Sequence, residues 1–297
     1  MSETILVTGA SGQLGRLVLN HLLETQKVTP ARLVAGSREP TKLSDLADRG
    51  ITTRAVDFDK PSELGAAFAG IDTLLVVSTD ALGEPGKRLA QHKAAVAAAQ
   101  KAGVRRIAYT SMPNPEPGNP VLFAGDHYGT EQAIKESGLA YTIFRNGWYQ
   151  ENLLMGLPHA IASGKWFTSA GSGRLAHVAR EDIARAIAAA LASKPQGNAT
   201  YTLTGSQAFD TDEIAALASA VTGKPIEVVH LSDEALLEGL KASDLPAPVA
   251  ALLVSFDANT RAGTISDVTN DVKKLAGIEP RPLRAFLEDN KEALLAG

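Results

Sequence analysis

The chain has 297 residues, of which 44% are hydrophobic and 21% are charged, and its 29 basic and 33 acidic residues leave a net charge of −4. This length fits one large domain or two modest ones with a sizeable core. The charge balance argues against the basic surface that nucleic-acid binding requires, and a chain without cysteine has no disulfide, zinc–thiolate site, iron–sulfur cluster or thiol nucleophile.

The start of the chain lacks the basic and apolar regions of a signal peptide, and the apolar run at residues 249–254 is too short to span a bilayer. The absence of cysteine fits a reducing compartment. We therefore expect a cytoplasmic protein with no membrane insertion and no nucleic-acid partner. A homodimer is compatible with the sequence.

Short β-branched runs alternate with helix-length segments from residue 4 to about residue 145. Strands are predicted at residues 4–8, 32–36, 53–57, 73–78, 106–110 and 141–145, and helices at residues 14–24, 62–69, 87–102 and 129–137. This alternation is typical of parallel βαβ units with helices on both faces of a sheet. The sequence predicts an α/β fold with a Rossmann-like, doubly wound parallel sheet.

Beyond residue 150 the alternation weakens. A helix is predicted at residues 182–193, a strand at 201–204, and acidic first turns predict helix starts near 211 and 232. We expect a Rossmann domain over residues 1–150, completed by about residues 174–204, and a smaller, discontinuous C-terminal substrate lobe over residues 151–297. A loop at 83–86 is predicted at the carboxyl edge of the sheet, where open α/β folds bind ligands, and the long proline-rich loop at 112–125 is predicted to be a substrate-side loop.

A glycine-rich loop follows the first predicted strand and precedes a helical pattern, with glycines spaced G-x-x-G-x-x-G. Glycines permit a tight turn and a close approach of the backbone to a pyrophosphate, and the helix amino terminus supplies N–H groups and a positive dipole end. The alternative is a turn that only requires positive φ. The loop residues predicted to bind a dinucleotide are Gly9, Ala10, Ser11, Gly12, Gln13, Leu14 and Gly15.

Arg38 follows the second predicted strand, where an acidic residue would hold the ribose hydroxyl of NAD or an arginine the 2′-phosphate of NADP. An arginine matches a phosphate in charge and geometry, so we expect NADPH to bind and NADH to bind more weakly. The alternative is that Arg38 is a solvated loop residue and Glu39 binds the ribose.

Further cofactor contacts are predicted at other strand ends. Asp57 is a candidate acceptor for the adenine amino group with Phe58 nearby, although a turn acid and a core ring are the alternatives. Ser78 and Ser111 are expected to face the nicotinamide ribose, or are ordinary strand-end polar residues. The histidines show no metal-ligand spacing, so no metal is predicted.

Four segments, residues 7–15, 107–111, 130–131 and 141–149, resemble the atypical short-chain dehydrogenase/reductase family in its NmrA-like branch. The last segment, which contains Arg145-Asn146-Gly147-Trp148-Tyr149, is the most restrictive. The resemblance implies an NADPH-dependent, flavin-free reductase of a quinone or a similar planar acceptor. No tyrosine has a lysine four residues later, as the classical Tyr-x-x-x-Lys pair requires, which argues against alcohol dehydrogenation and sugar-nucleotide epimerisation.

The resemblance also implies an acceptor site beyond the sixth predicted strand. The expected catalytic residues are Asn146, Gly147, Tyr128 and His127, and the expected acceptor-binding residues are Trp148, Tyr149 and Met112. The alternatives are a buried aromatic pair at Trp148 and Tyr149, and a helix-capping or surface role for His127 and Tyr128.

Two other functions remain open on the sequence. NmrA-like redox sensors bind the dinucleotide without turnover and regulate partner proteins, and the missing tyrosine–lysine pair suits them equally. An isomerase or dehydratase of a sugar nucleotide is the third candidate, and the missing pair counts against it.

Overall fold

A computed structural model describes residues 3–193, 197–243 and 245–296; the remaining residues of the predicted domain ranges lie outside this description. The strands are β1 Ile5–Val7, β2 Leu33–Ser37, β3 Thr52–Ala55, β4 Thr73–Val76, β5 Arg106–Ser111, β6 Ala140–Asn146, β7 Lys165–Thr168, β8 Ala199–Leu203 and β9 Glu227–His230. The helices are α1 Gln13–Glu24, α2 Ser44–Asp48, α3 Leu64–Ala67, α4 Lys87–Lys101, α5 Ala124–Glu136, α6 Leu153–Ser163, α7 Arg180–Ala192, α8 Thr211–Thr222, α9 Asp233–Ala242, α10 Ala247–Arg261, α11 Asp271–Ala276, α12 Leu283–Asp289 and α13 Lys291–Leu295.

Seven strands form one parallel sheet in the order β3-β2-β1-β4-β5-β6-β8. The order reverses between β1 and β4, and such a switch point opens a crevice at the carboxyl ends of the strands. The predicted α/β fold with a Rossmann-like, doubly wound sheet is confirmed.

Two apolar cores cover the faces of this sheet. On one face α1 and α7 pack together, and the buried residues of α1 include Leu14, Val18 and Leu22, which recur at helical spacing. On the other face, residues of α3, α4 and α5 pack against β4 and β5. Both faces of the central strands β1, β2, β4 and β5 are therefore buried, which explains the short apolar runs of their sequences.

A third apolar core joins α6, α8, α12 and α13 in the C-terminal part of the chain. The strands β7 and β9 form a small parallel sheet there, which the sequence did not predict. Between β7 and α8 in the sequence, α7 packs beside α1 and β8 pairs with β6, so this part of the chain belongs to the main sheet. The proposed boundary at residue 150 stays a prediction.

Helix α5 begins at Ala124, so the predicted start at residue 129 was too late. Gly125 and Gly129 lower the helix propensity of this turn, but Ala124 is buried against Met112 and Val121, and that packing overrides propensity. His127 consequently lies on the helix. None of the helices in the described ranges has the length and apolar character needed to cross a membrane.

Candidate functional site

A cleft of about 410 Å³ opens at the carboxyl ends of β1 and β4. It contains ten of the twelve residues that the sequence predicted for the cofactor: Gly9, Ser11, Gly12, Gln13, Leu14, Gly15, Arg38, Asp57, Phe58 and Ser78. Ala10 and Ser111 do not line it. Ala10 is buried beneath the loop, where its N–H donates to the carbonyl of Gly36 at 2.9 Å.

The glycine loop forms the floor of the cleft. Gly9 adopts a φ of +62°, which favours glycine, and its carbonyl accepts the N–H of Gly12 at 2.9 Å. A Cβ at Gly15 would lie 2.4 Å from the carbonyl oxygen of Gly9, so this glycine allows α1 to pack directly on the strand end. Gly12 caps α1 without a side-chain hydrogen bond, which leaves first-turn N–H groups for an anion.

Arg38 and Ser37 lie at the end of β2 on one wall of the cleft. The Arg38 side chain is 66% exposed, and its nearest carboxylate oxygen, on Asp80, is 4.0 Å away. Glu39 instead pairs with Lys42 at 2.7 Å and does not line the cleft. A loosely paired arginine in this position is available to a phosphate, which favours Arg38 over Glu39 as the ribose-end contact.

Two polar residues that the sequence analysis missed, Lys87 and Gln91, also line the cleft from α4. Gln91 donates to Asp59 at 2.8 Å, and Lys87 lies 3.5 Å from the same carboxylate. The hydrogen bond from Gln91 holds the pKa of Asp59 below its usual value, and the charges of Lys87 and Arg38 act in the same direction. The sequence feature that could have identified these two residues is their position, because α4 begins at Lys87 directly after the loop predicted at the carboxyl edge of the sheet.

The strand-end serines differ in what their side chains contact. The N–H of Ser78 donates to the Thr110 hydroxyl at 2.9 Å, and Ser78 lines the cleft. Ser111 is buried, and its hydroxyl donates to Glu131 at 2.7 Å, where Glu131 also pairs with Arg145 at 2.8 Å. Ser111 therefore belongs to a buried ionic network, and its expected place facing the nicotinamide ribose is not what the structure shows.

His127 lies in a second buried network. Its Nδ1 contacts the Tyr109 hydroxyl at 2.8 Å, and its Nε2 lies 3.0 Å from the guanidinium of Arg88. Burial and the charge of Arg88 hold the pKa of His127 well below its usual value, so the ring is neutral. With both nitrogens engaged, His127 is not placed as a donor to an acceptor oxygen, whereas Tyr128, half-buried one residue later, remains a candidate.

Asn146 ends β6, and Gly147 follows it. The N–H of Gly147 donates to the carbonyl of Leu203 at 2.8 Å, so this N–H is not available to an acceptor. The Asn146 side chain is buried beside Tyr149, and within the described ranges its Oδ1 has no hydrogen-bond partner. The unpaired atom is an acceptor, and the Asn146 side chain also hydrogen-bonds to the Tyr149 hydroxyl, so a donor role of Asn146 toward an acceptor oxygen stays a prediction.

The aromatic residues after β6 take two different places. Trp148 packs edge-on against Phe256 of α10, with ring centroids 5.0 Å apart, and Phe256 contacts Phe123 in the same way at 6.0 Å. Met112 belongs to this cluster, which we call the aromatic cluster (Met112, Val121, Phe123, Ala124, Trp148 and Phe256).

Tyr149, by contrast, packs against the main core, and Arg180 lies over its ring at 4.8 Å. Burial raises the pKa of the Tyr149 hydroxyl. Its predicted share in an acceptor plane stays a prediction.

No three His, Asp or Glu side chains of the described ranges come together as a metal-binding group. The cleft itself fits a dinucleotide, because the glycine loop offers backbone N–H groups at one end of α1 and Arg38 offers a cation at the ribose end.

Comparisons with known proteins point to the same chemistry. A family model described as NAD(P)H-binding matches residues 9–194. The chain is 35% identical to quinone oxidoreductase 2 of Escherichia coli strain K12, over 92% of this chain and 93% of that protein.

Two solved structures are also similar over nearly the whole chain. The NADPH complex of the Escherichia coli NADPH-dependent quinone oxidoreductase QOR2 superposes with a TM-score of 0.90 and 34% identity, covering 96% of this chain and 99% of that one. The NADP(H) complex of Citrobacter triphenylmethane reductase gives 0.89 and 35%, covering 97% and 100%.

The two glycines at the start of α1 predict different defects. A Cβ at Gly12 would meet only the Gly9 carbonyl, at 3.3 Å, so we expect Gly12→Val to keep the wild-type melting temperature while abolishing NADPH binding. Gly15→Ala should lower the melting temperature as well, because overpacking costs about 1–3 kcal/mol. Thermal denaturation measures the melting temperature, and isothermal titration measures NADPH affinity. Wild-type NADPH affinity in Gly12→Val would contradict the assignment of the glycine loop to the pyrophosphate.

Proposed function

The chain belongs to the NAD(P)H-binding family, and we propose that within it the protein is a flavin-free, NADPH-dependent reductase of quinones and similar planar acceptors. The resemblance to the NmrA-like branch of the atypical short-chain dehydrogenase/reductases is confirmed by these relatives. The observation that carries the proposal is the cleft at the β1–β4 switch point, with the glycine loop and Arg38 at its two ends.

NADPH, when bound, supplies the hydride. The residues of this chain bind and orient it: first-turn N–H groups of α1 receive the pyrophosphate, and Arg38 with Ser37 receives the 2′-phosphate. Asp57 and Phe58, which line the cleft at the end of β3, are proposed to contact the adenine. Lys87 also lines the cleft, where its ammonium group lies 3.5 Å from the Asp59 carboxylate.

The acceptor site is proposed beside Asn146, with the aromatic cluster as its apolar wall. Hydride addition to a quinone produces a phenolate-like anion, whose conjugate acid resembles a tyrosine with a pKa near ~10. Such a product requires hydrogen-bond donors and little general acid catalysis, which explains how the reaction proceeds without a Tyr-x-x-x-Lys pair. The Asn146 amide and the Tyr128 hydroxyl are the proposed donors.

The relatives reported above are oxidoreductases, and this chain matches them over almost their entire length. A sensor that binds the dinucleotide without turnover is therefore not favoured. We propose a cytoplasmic location, which the absence of cysteine supports.

Purified protein, freed of flavin and checked by its visible absorption spectrum, should oxidise NADPH at 340 nm when a simple naphthoquinone such as menadione is added. The rate should depend on both substrates and on no added flavin or metal, including after treatment with a chelator. Binding of NADPH without turnover of any member of a quinone and dye panel would instead indicate a sensor.

Cofactor choice should depend on Arg38. Arg38→Ala is expected to reduce the preference for NADPH over NADH by about tenfold or more, since a hydrogen bond to a charged group contributes about 1.5–3 kcal/mol. Arg49→Ala, which removes an exposed arginine paired with Glu24, is the control and should leave the preference unchanged. Equal preferences in Arg38→Ala and wild type would reject the phosphate contact.

Donors at the acceptor oxygen should differ in importance. Asn146→Ala is expected to lower kcat roughly 10²-fold, as removal of a positioned oxyanion donor does, while Tyr128→Phe retains substantial turnover. Asn146→Asp keeps the side-chain shape without the amide donor and should also be slow. Steady-state kinetics with menadione check this, and near-complete loss of kcat in Tyr128→Phe would favour tyrosine-mediated acid catalysis.

A further inference from the structure

Arg88 is a buried arginine near the start of α4, with only 5% of its surface exposed. Its guanidinium makes contacts in three directions. Nε donates to the carbonyl of Thr79 at 2.7 Å, Nη2 lies 3.0 Å from Nε2 of His127, and the guanidinium carbon lies 5.1 Å from the centre of the Phe123 ring. Sequence reasoning did not single it out.

The first of these contacts reaches the cofactor cleft. Thr79 lines the cleft directly after Ser78, and its backbone N–H donates to Nε2 of His92 at 3.0 Å. Its hydroxyl donates to Gln91 at 2.7 Å. Thr79 is therefore held by three side chains of α4, and Arg88 is the one that fixes the direction of its carbonyl.

The contact with Phe123 reaches the aromatic cluster. Phe123 packs edge-on against Phe256, which in turn packs against Trp148. The His127 ring, which Arg88 also contacts, lies 5.8 Å from the Phe123 ring. Arg88 thus contacts Thr79, which lines the cofactor cleft, and Phe123, which is part of the proposed acceptor wall.

Stability alone does not account for a cation at this position. No carboxylate of the described residues lies within 4.0 Å of the guanidinium, and Nη1 is buried with no hydrogen-bond partner in that part of the chain. Burial lowers the pKa of Arg88, the more distant charges of Asp126 and Asp80 oppose this effect, and an arginine remains protonated in proteins. A buried charge without a carboxylate costs stability, and an apolar side chain would avoid that cost.

We propose that Arg88 is a positioning residue that couples the two halves of the active site, so that the contacts which order Thr79 around the cofactor also order Phe123 for a planar acceptor. The inference rests on the proposed function. Binding of the oxidised cofactor should then tighten binding of an acceptor, and the coupling is reciprocal because both ligands stabilise one arrangement of Arg88.

The test uses NADP⁺ and menadione, a pair that binds without reacting. Isothermal titration gives the menadione dissociation constant with and without saturating NADP⁺, and the wild-type ratio should be about five or more. Arg88→Lys keeps the charge but does not reproduce the three contacts, and Arg88→Met removes them. Both should bring the ratio close to one while each ligand still binds alone.

Arg174→Met is the control for removing an arginine-to-carbonyl contact elsewhere in the fold, at a more exposed arginine. Arg174 also donates to a backbone carbonyl, that of Ala208 at 2.9 Å, and pairs with acidic residues at the start of α8, outside the cleft. It should lose stability and keep the coupling ratio. Phe123→Leu removes the ring that Arg88 contacts and leaves Thr79 unchanged, and it should also lower the coupling ratio. If an Arg88 variant does not fold, this variant tests the proposed coupling in its place.

A wild-type ratio of one, or an unchanged ratio in folded Arg88 variants with a lower melting temperature, would overturn the proposal and leave Arg88 a structural residue. Failure of the proposed function is a separate result. Wild-type protein that does not oxidise NADPH with any acceptor would reject the reductase assignment, whatever the binding ratio is.

Discussion

The close contact between the end of β1 and the start of α1 is the constraint on which the site depends. Gly15 lies so near the carbonyl of Gly9 that a Cβ would come within 2.4 Å of its oxygen. Because the helix begins this close to the strand end, its free N–H groups face the crevice at the β1–β4 switch point. The positive end of the helix dipole and the sheet edge thereby meet at one place, and the other residues of the cleft are arranged around it.

The parts of the fold that local patterns determine could be predicted from the sequence. The six strands and the glycine loop were predicted correctly, because the central parallel strands are buried on both faces and a dinucleotide loop needs glycine at fixed spacing. The small sheet of β7 and β9 was not predicted, because each strand has only four residues and at most one of them is buried, so neither carries an apolar run. Long-range packing, which places Ala124 in an apolar cluster, also moved the start of α5.

The site residues were harder to predict, because a sequence shows which donors exist but not which of them the fold already uses. Ser111, His127 and Gly147 all carry suitable donors, and each is engaged by a protein partner. Arg88 and Gln91, by contrast, were not selected from the sequence, although both contact Thr79 of the cofactor cleft. On a helical pattern they resemble a solvated polar face, yet both point inward and hold the loop after β4. Their role depends on contacts with Thr79 that no local signal reveals.

The proposed acceptor wall consists of rings and aliphatic groups, and this composition bears on selectivity. Trp148, Phe123 and Phe256 offer flat apolar area, and only the Asn146 amide and the Tyr128 hydroxyl are proposed as donors to the acceptor oxygen. A hydrophobic surface discriminates weakly between ligands that differ by a methyl or a ring substituent, whereas a set of buried hydrogen-bond donors discriminates strongly. A reductase built in this way selects its acceptors by planarity and by their capacity to take a hydride. Stricter recognition is then expected at the cofactor, where Arg38 is proposed to contact the 2′-phosphate and the glycine loop the pyrophosphate.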